Sequence, residues 1–181
     1  MAEAEVSLWQ RRRLLVIDWA AAGQLVAGLV DDIRASRFEP DVVVGIARGG
    51  LPLAVALSHQ LGVADFRVLA MRRNSSDSRY SERGPVRLDC LSPDKALAGR
   101  RILLADDIVG DGGTLAAAVN LLTAAGLAEL RTAALVRNVH ATVRPDYEGV
   151  TADDWTVFPW ENPPGPHDPA VALTPPHRDP R

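Results

Sequence analysis

One stretch, Arg101 to Leu115, constrains this chain more than any other: RILLADDIVGDGGTL. Ile102 to Ala105 carry no polar alternation, so they are predicted to form a strand buried on both faces, as in a parallel sheet covered by helices. Asp106 and Asp107 then fall at its carboxyl end, the edge where open parallel sheets bind ligands. After Ile108 and Val109 come Gly110, Asp111, Gly112, Gly113 and Thr114, with a helix predicted from Leu115. Backbone N–H groups at such a helix start, together with its dipole, favour an anion. Thr114 is placed to cap the helix or to bond a phosphate oxygen. The plainer reading makes the acids strand-end polar residues and the glycines a tight turn. Two adjacent carboxylates, however, are costly without a cation or hydroxyl donors to share. A sugar phosphate, with an anion at one end and hydroxyls or a bound metal at the other, meets both demands.

The layout recurs upstream. Leu14 to Ile17 is a strand candidate, and Asp18 is placed to cap a helix from Trp19 to about Ser36. Leu25, Leu29 and Ile33, with Val26 and Val30 beside them, give that helix one broad apolar face, and Trp19 is expected as a core or staple residue. Asp41 leads into a second buried strand, Val42 to Ile46. Then come Ala47, Arg48, Gly49 and Gly50, and a helix over Leu51 to Leu61 with Pro52 in its first turn. The planar fork of Arg48 suits a phosphate or pyrophosphate. Phe66 to Met71 reads as a third strand.

Arg72 to Asp89 has neither helical nor strand periodicity and is expected as a long loop. It carries Arg72, Arg73, Arg79, Tyr80 and Arg83, a cationic set suited to closing over a pyrophosphate, or else a solvated hairpin tip. The helix after the central turn is predicted to stop at Gly126. Arg131 to Val136 is the next strand and delivers Arg137 and Asn138 at its end. Tyr147 to Asp154 reads as a polar connection to Trp155-Thr-Val-Phe-Pro-Trp-Glu161.

Composition narrows the partners. The 181 residues suffice for one well-buried domain, divided here as an N-terminal segment and short strand over 1–17, a main domain over 18–161, and a tail over 162–181. Seven of those last twenty residues are proline, so the tail is expected to be disordered or extended. His167 and His177 lie there without companion ligands, which argues against a metal site. The net charge of -3 leaves no electrostatic footprint for nucleic acid, and Arg11, Arg12 and Arg13 are expected as a solvated lead-in to a strand. Cys90, the sole cysteine, excludes an intrachain disulfide and a cysteine-built zinc site. No membrane partner is indicated: no apolar run reaches spanning length and no signal-peptide pattern opens the sequence, so a soluble cytoplasmic protein is expected.

The central stretch resembles the phosphoribosyl-pyrophosphate (PRPP) motif of type I phosphoribosyltransferases: a hydrophobic strand, Asp-Asp, two apolar residues, and a phosphate loop ending Gly-Gly-Thr. VVVGIARGGLPLA resembles the pyrophosphate loop of the purine branch, and WTVFPWE resembles the C-terminal hood of its xanthine-guanine members. The resemblance spans about Asp18 to Glu161. It implies an α/β fold with a central, mostly parallel sheet flanked by helices and a small hood from the N- and C-terminal segments. It implies displacement of pyrophosphate from PRPP by a base nitrogen, a 6-oxopurine favoured, with Mg²⁺ as cofactor and a homodimer or higher homo-oligomer as the assembly. Asp106 and Asp107 would hold the ribose hydroxyls, directly or through the metal, and Asp111, Gly112, Gly113 and Thr114 the 5′-phosphate. Arg48 and Gly49 would hold pyrophosphate, and the Arg72, Arg73, Arg79 and Tyr80 segment would act as the lid. Arg137 would donate to the exocyclic oxygen of the base and Trp155 would stack on it, while Trp160 packs the hood onto the core.

One departure stands out. Many 6-oxopurine enzymes have an aspartate facing N7 of the base where this chain has Gly110, and a threonine or alanine where it has Asp111. Either the turn is re-registered so that Asp111 does the aspartate's catalytic work, or the substrate or role has changed. The open alternatives are a non-catalytic PRPP or nucleotide sensor and a biosynthetic enzyme for an unusual heterocycle.

Overall fold

Apolar residues that alternate along the central strands supply both faces of one sheet, and the helices divide between those faces. The structure, a computed structural model, describes residues 9–74, 83–91 and 97–177. Its elements are β1 (Gln10–Val16), α1 (Trp19–Ala35), β2 (Val42–Ala47), α2 (Leu51–Leu61), β3 (Phe66–Asn74), β4 (Arg83–Leu91), β5 (Arg101–Val109), α3 (Gly113–Thr123), β6 (Glu129–Asn138), β7 (Tyr147–Ala152), β8 (Asp154–Val157) and β9 (Ala170–Ala172). The main sheet has the order β4-β3-β2-β5-β6-β7, parallel throughout except for the β3–β4 pair. Val43, Leu103, Ala105, Ala133 and Leu135 face α1 and α2, whereas Val42, Val44, Ile46, Ile102 and Leu104 face α3. The alpha/beta fold with helices on both faces is the one expected.

α1 forms as its pattern dictates. Asp18 Oδ1 accepts from Ala21 N at 2.7 Å, and Leu25, Val26, Leu29, Val30 and Ile33 are all buried. Trp19 departs from expectation, being 67% exposed: at the first position of the helix it projects past the core and meets the ring of Trp160 at 6.0 Å. α2 occupies the predicted residues and closes on Gly62 in the left-handed conformation, φ 73°.

β1, β8 and β9 make a separate three-stranded parallel sheet, the hood, with β1 in the middle. One expectation is corrected here. Arg12 and Arg13 belong to β1 and are ion-paired: both reach the buried Asp154, at 3.3 Å each, and Arg12 also reaches Asp153 at 2.7 Å. Within the Pro-rich tail, Ala170–Ala172 pairs with Leu14–Val16 as an exposed edge strand. An edge strand is held by backbone bonds and needs no apolar face, so composition hides it.

Three more boundaries move. Within the expected loop Arg72 to Asp89, the described residues at both ends are strand: β3 runs on to Asn74 and β4, from Arg83, pairs with it antiparallel, Arg72 opposite Arg87 and Asn74 opposite Arg83. β4 is the edge of the sheet, the place where Pro85 is tolerated. Tyr147–Ala152 is a strand at the other edge, where Gly149 lets β7 close onto β6: a Cβ there would lie 2.6 Å from Leu135 O. β5 continues through both aspartates to Val109, because its pairing with β6 persists to Val109 opposite Arg137.

Candidate active site

The pairing of β5 decides where a ligand can enter. On the β2 side the ladder ends at Gly45 opposite Ala105, while on the β6 side it continues beyond the aspartates. β2 leads through α2 to β3 on one side, and β5 leads through α3 to β6 on the other. Their carboxyl ends therefore diverge, which creates the topological switch-point crevice of open α/β sheets. Asp106 and Asp107 sit on its wall.

The turn after β2 lies directly against them. A Cβ on Gly49 would fall 2.0 Å from Asp107 Oδ2, and one on Gly50 would fall 2.7 Å from Asp106 Cα. Only glycine permits this approach of backbone to carboxylate. The turn is held by Gly50 N donating to Ile46 O at 3.0 Å, the Ala47–Arg48 peptide is cis, and Arg48 is exposed at the tip. Asp106 and Asp107 are buried, and among the described residues no ion pair reaches either of them. Asp107 N donates to Asp106 Oδ1 at 3.0 Å. Burial, then the charge of Asp107, holds the Asp106 carboxyl well above its ordinary range. Burial, then the charge of Glu161, pushes Asp107 up to about 6. Nothing in the residue pattern singles out Glu161 beyond its place at the end of WTVFPWE. Its Oε2 accepts from Phe158 N at 3.0 Å, and its field on Asp107 ties the hood segment to the acid pair.

The glycine turn after β5 is braced from outside. Thr142 N and Oγ1 both donate to Asp111 O, at 3.0 and 2.7 Å, and Gly112, at φ 95°, packs on Val143. The helix begins at Gly113, two residues earlier than predicted, with Gly112 as N-cap. Thr114 is therefore not the cap but part of the first turn; it is Asp111 Oδ1 that accepts from Gly113 N, at 2.8 Å.

The remaining predicted residues are distributed more widely. Arg137, the last residue but one of β6, lies opposite Val109 but is bound to Glu148 through Nε and Nη2, and its Nη1 donates to Asn138 O at 3.2 Å. Trp155 is half-buried in the hood, with its ring edge against Trp9 at 5.7 Å. Trp160 stacks on Phe158 at 5.0 Å and packs against the core, as expected for a hood anchor. Of the lid residues, the backbones of Arg72 and Arg73 are in β3, and Arg79 and Tyr80 lie outside the described residues.

The switch-point crevice, acid pair and two glycine turns lie at the carboxyl edge of an open α/β sheet covered by helices on both faces. Residues 16–164 match the phosphoribosyl transferase domain, and the chain belongs to that family. Adenine phosphoribosyltransferase of Clavibacter michiganensis subsp. michiganensis is 34% identical over 113 residues, 59% of this chain and 62% of that relative. The chain spans about three fifths of the length of the curated relatives it matches. The purine phosphoribosyltransferase of Pyrococcus horikoshii has a similar structure, with a TM-score of 0.72 and 29% identity over 84% of this chain and 97% of its own. The xanthine-guanine-hypoxanthine phosphoribosyltransferase of Helicobacter pylori shares the fold at a TM-score of 0.65 and 18% identity, over 82% of this chain and 92% of its own.

Proposed function

We propose that this chain transfers the 5-phosphoribosyl group from PRPP to a purine, releasing pyrophosphate. The observation that carries the reading is the contact of Gly49 with Asp107: the turn suited to pyrophosphate and the carboxylates suited to ribose hydroxyls share one crevice edge. The base nitrogen forms a bond to C1 of the ribose as the C1–O bond to pyrophosphate breaks, and the electron pair leaves with pyrophosphate. Positive charge developing on the ribose ring lies against Asp106 and Asp107, whose carboxylates are fixed in place before the reaction begins. Arg48 and the amides of Gly49 hold the leaving pyrophosphate, and those of Asp111 to Thr114 hold the 5′-phosphate.

The residues fit Mg²⁺. Two hard oxygen donors are buried together without a cation among the described residues, and Mg²⁺ prefers one or two carboxylates supplemented by substrate phosphates. When bound with PRPP, the metal would neutralise pyrophosphate charge. The acid pair accounts for its own unfavourable burial in this way, since it is arranged for a partner that arrives with substrate.

For the base, Trp155 in the hood supports stacking on a flat purine, with a 6-oxopurine as the acceptor and Arg137 as the donor to its oxygen. Adenine is the second reading. It is favoured by Gly110, which offers no acid to N7, by the Glu148 partnership of Arg137, and by the names of the curated relatives. Incubation with PRPP, Mg²⁺ and hypoxanthine, guanine, xanthine or adenine, followed by pyrophosphate release, tests both. Turnover with a 6-oxopurine supports the first base, turnover with adenine alone the second. PRPP binding without turnover of any base would make the chain a sensor instead.

A further inference from the structure

Asp111 is the acid of the central turn that the transfer chemistry leaves without a task. Its carboxylate folds inward, with Oδ1 accepting from Gly113 N at 2.8 Å. The first bond of α3's own ladder is from Ala116 N to Gly112 O, at 2.9 Å, so Gly113 N is one of the orphan donors that a helix offers to an anion. The dipole favours negative charge at the same point. Gly112, the N-cap, contributes no side chain. The turn has little freedom to reshape around a second occupant, because Thr142 grips Asp111 O with two bonds and Gly112 is pressed onto Val143. A 5′-phosphate and the Asp111 carboxylate thus need the same amide and carry the same sign of charge.

We propose that Asp111 is an internal occupant of the 5′-phosphate site: its carboxylate fills the helix N-terminus until a phosphate displaces it, and so sets the affinity and selectivity for the phosphorylated sugar. This rests on the phosphoribosyl-transfer reading. Displacement requires rotation of one side chain, while the backbone that receives the phosphate stays as it is. An unphosphorylated sugar brings no charge to replace the carboxylate, so it leaves the turn occupied. Asp111 is then a specificity residue and not the acceptor at N7.

Titration calorimetry on the full chain tests this with two probes, ribose 5-phosphate for the α3 turn and Mg²⁺-pyrophosphate for the Arg48 turn. Asp111→Asn keeps an oxygen for Gly113 N without the charge, and Asp111→Ala vacates the amide. Ribose 5-phosphate is expected to bind the alanine variant about tenfold more tightly than wild type, the weight of one hydrogen bond to a charged group. The asparagine variant should fall between, with pyrophosphate binding equal in all three. A carboxylate that merely braced the turn would give no gain for ribose 5-phosphate on removal. Equal or weaker ribose 5-phosphate binding in the variants, with pyrophosphate still bound, overturns the proposal and leaves the transfer reading standing. If Asp111→Ala fails to fold, the asparagine variant decides alone. Failure of wild type and variants to bind either probe or PRPP overturns the transfer reading and this inference with it.

Discussion

Asp107 occupies the space that a side chain at position 49 would need, and that single approach explains much of the site's chemistry. The missing Cβ brings a carboxylate up to a backbone turn, and burial there raises Asp107 to about 6 from an ordinary 3.8. An acid raised in the folded state is held protonated more tightly than in the unfolded chain, so stability falls as pH rises between these values and the penalty is full above pH 6. Asp107→Asn removes the penalty. It is expected to melt roughly 2–4 °C above wild type at pH 8, the shift that about 1 kcal/mol gives at this chain length. The gain should vanish below pH 4, and turnover should fall by at least about 100-fold as the ribose contact is lost. Melting curves across pH and a pyrophosphate-release assay check both; a variant that is active, or no more stable than wild type at pH 8, contradicts this account.

Among the elements, β9 changes the reading of the tail. It adds a strand to β1, with Leu14 N donating to Pro169 O and Leu173 N to Val16 O, each at 2.8 Å. β1 in turn pairs with β8, which carries Trp155. Removal of residues after Glu161 therefore exposes one edge of the hood while leaving the six-stranded sheet complete. The truncated chain is expected to show a severalfold higher KM for the base, unchanged PRPP affinity and faster amide exchange in β1. A base KM equal to that of the full chain would separate β9 from base binding. The buried strands β2 and β5 and the amphipathic α1 were legible in sequence because each buries a periodic or continuous apolar set. β4, β7 and β9 were not: all three are sheet edges, and their apolar positions, Val86, Leu88 and Cys90 in β4, Tyr147, Val150 and Ala152 in β7 and Ala170 to Ala172 in β9, are short sets broken by polar neighbours, Pro or Gly.

Across the whole molecule, the two ends of the main sheet have opposite electrostatic characters. At the amino edge, Asp41 accepts from Arg101 Nη2 and Arg101 N at 2.8 Å each, and these bonds hold its pKa at about 2. A lowered acid stabilises the fold above its unfolded pKa of 3.8, and the contribution is lost as pH falls toward 2. At the carboxyl edge the sign is reversed, since Asp106 and Asp107 oppose folding when ionised. Asp41→Asn should therefore melt below wild type at neutral pH, with the difference closing near pH 2, the mirror image of Asp107→Asn. Parallel pH–melting profiles of the two variants test this polarity, and a deficit in Asp41→Asn that persisted at pH 2 would remove the ion pair as its cause. One edge of the sheet is pinned, and the other carries charge that a substrate and its cation relieve.

The sequence by itself determined the class of fold, the strand–turn–helix units and the residues of the acid pair and both glycine turns, because these depend on local spacing and apolar runs. Tertiary structure decided which of them meet. It set Gly49 on Asp107, brought the field of Glu161 to the acids, turned Arg137 toward Glu148 and folded Asp111 into its own turn. Those relations join residues far apart in the chain, or depend on one side-chain rotation, and neither is written in the spacing of residue types.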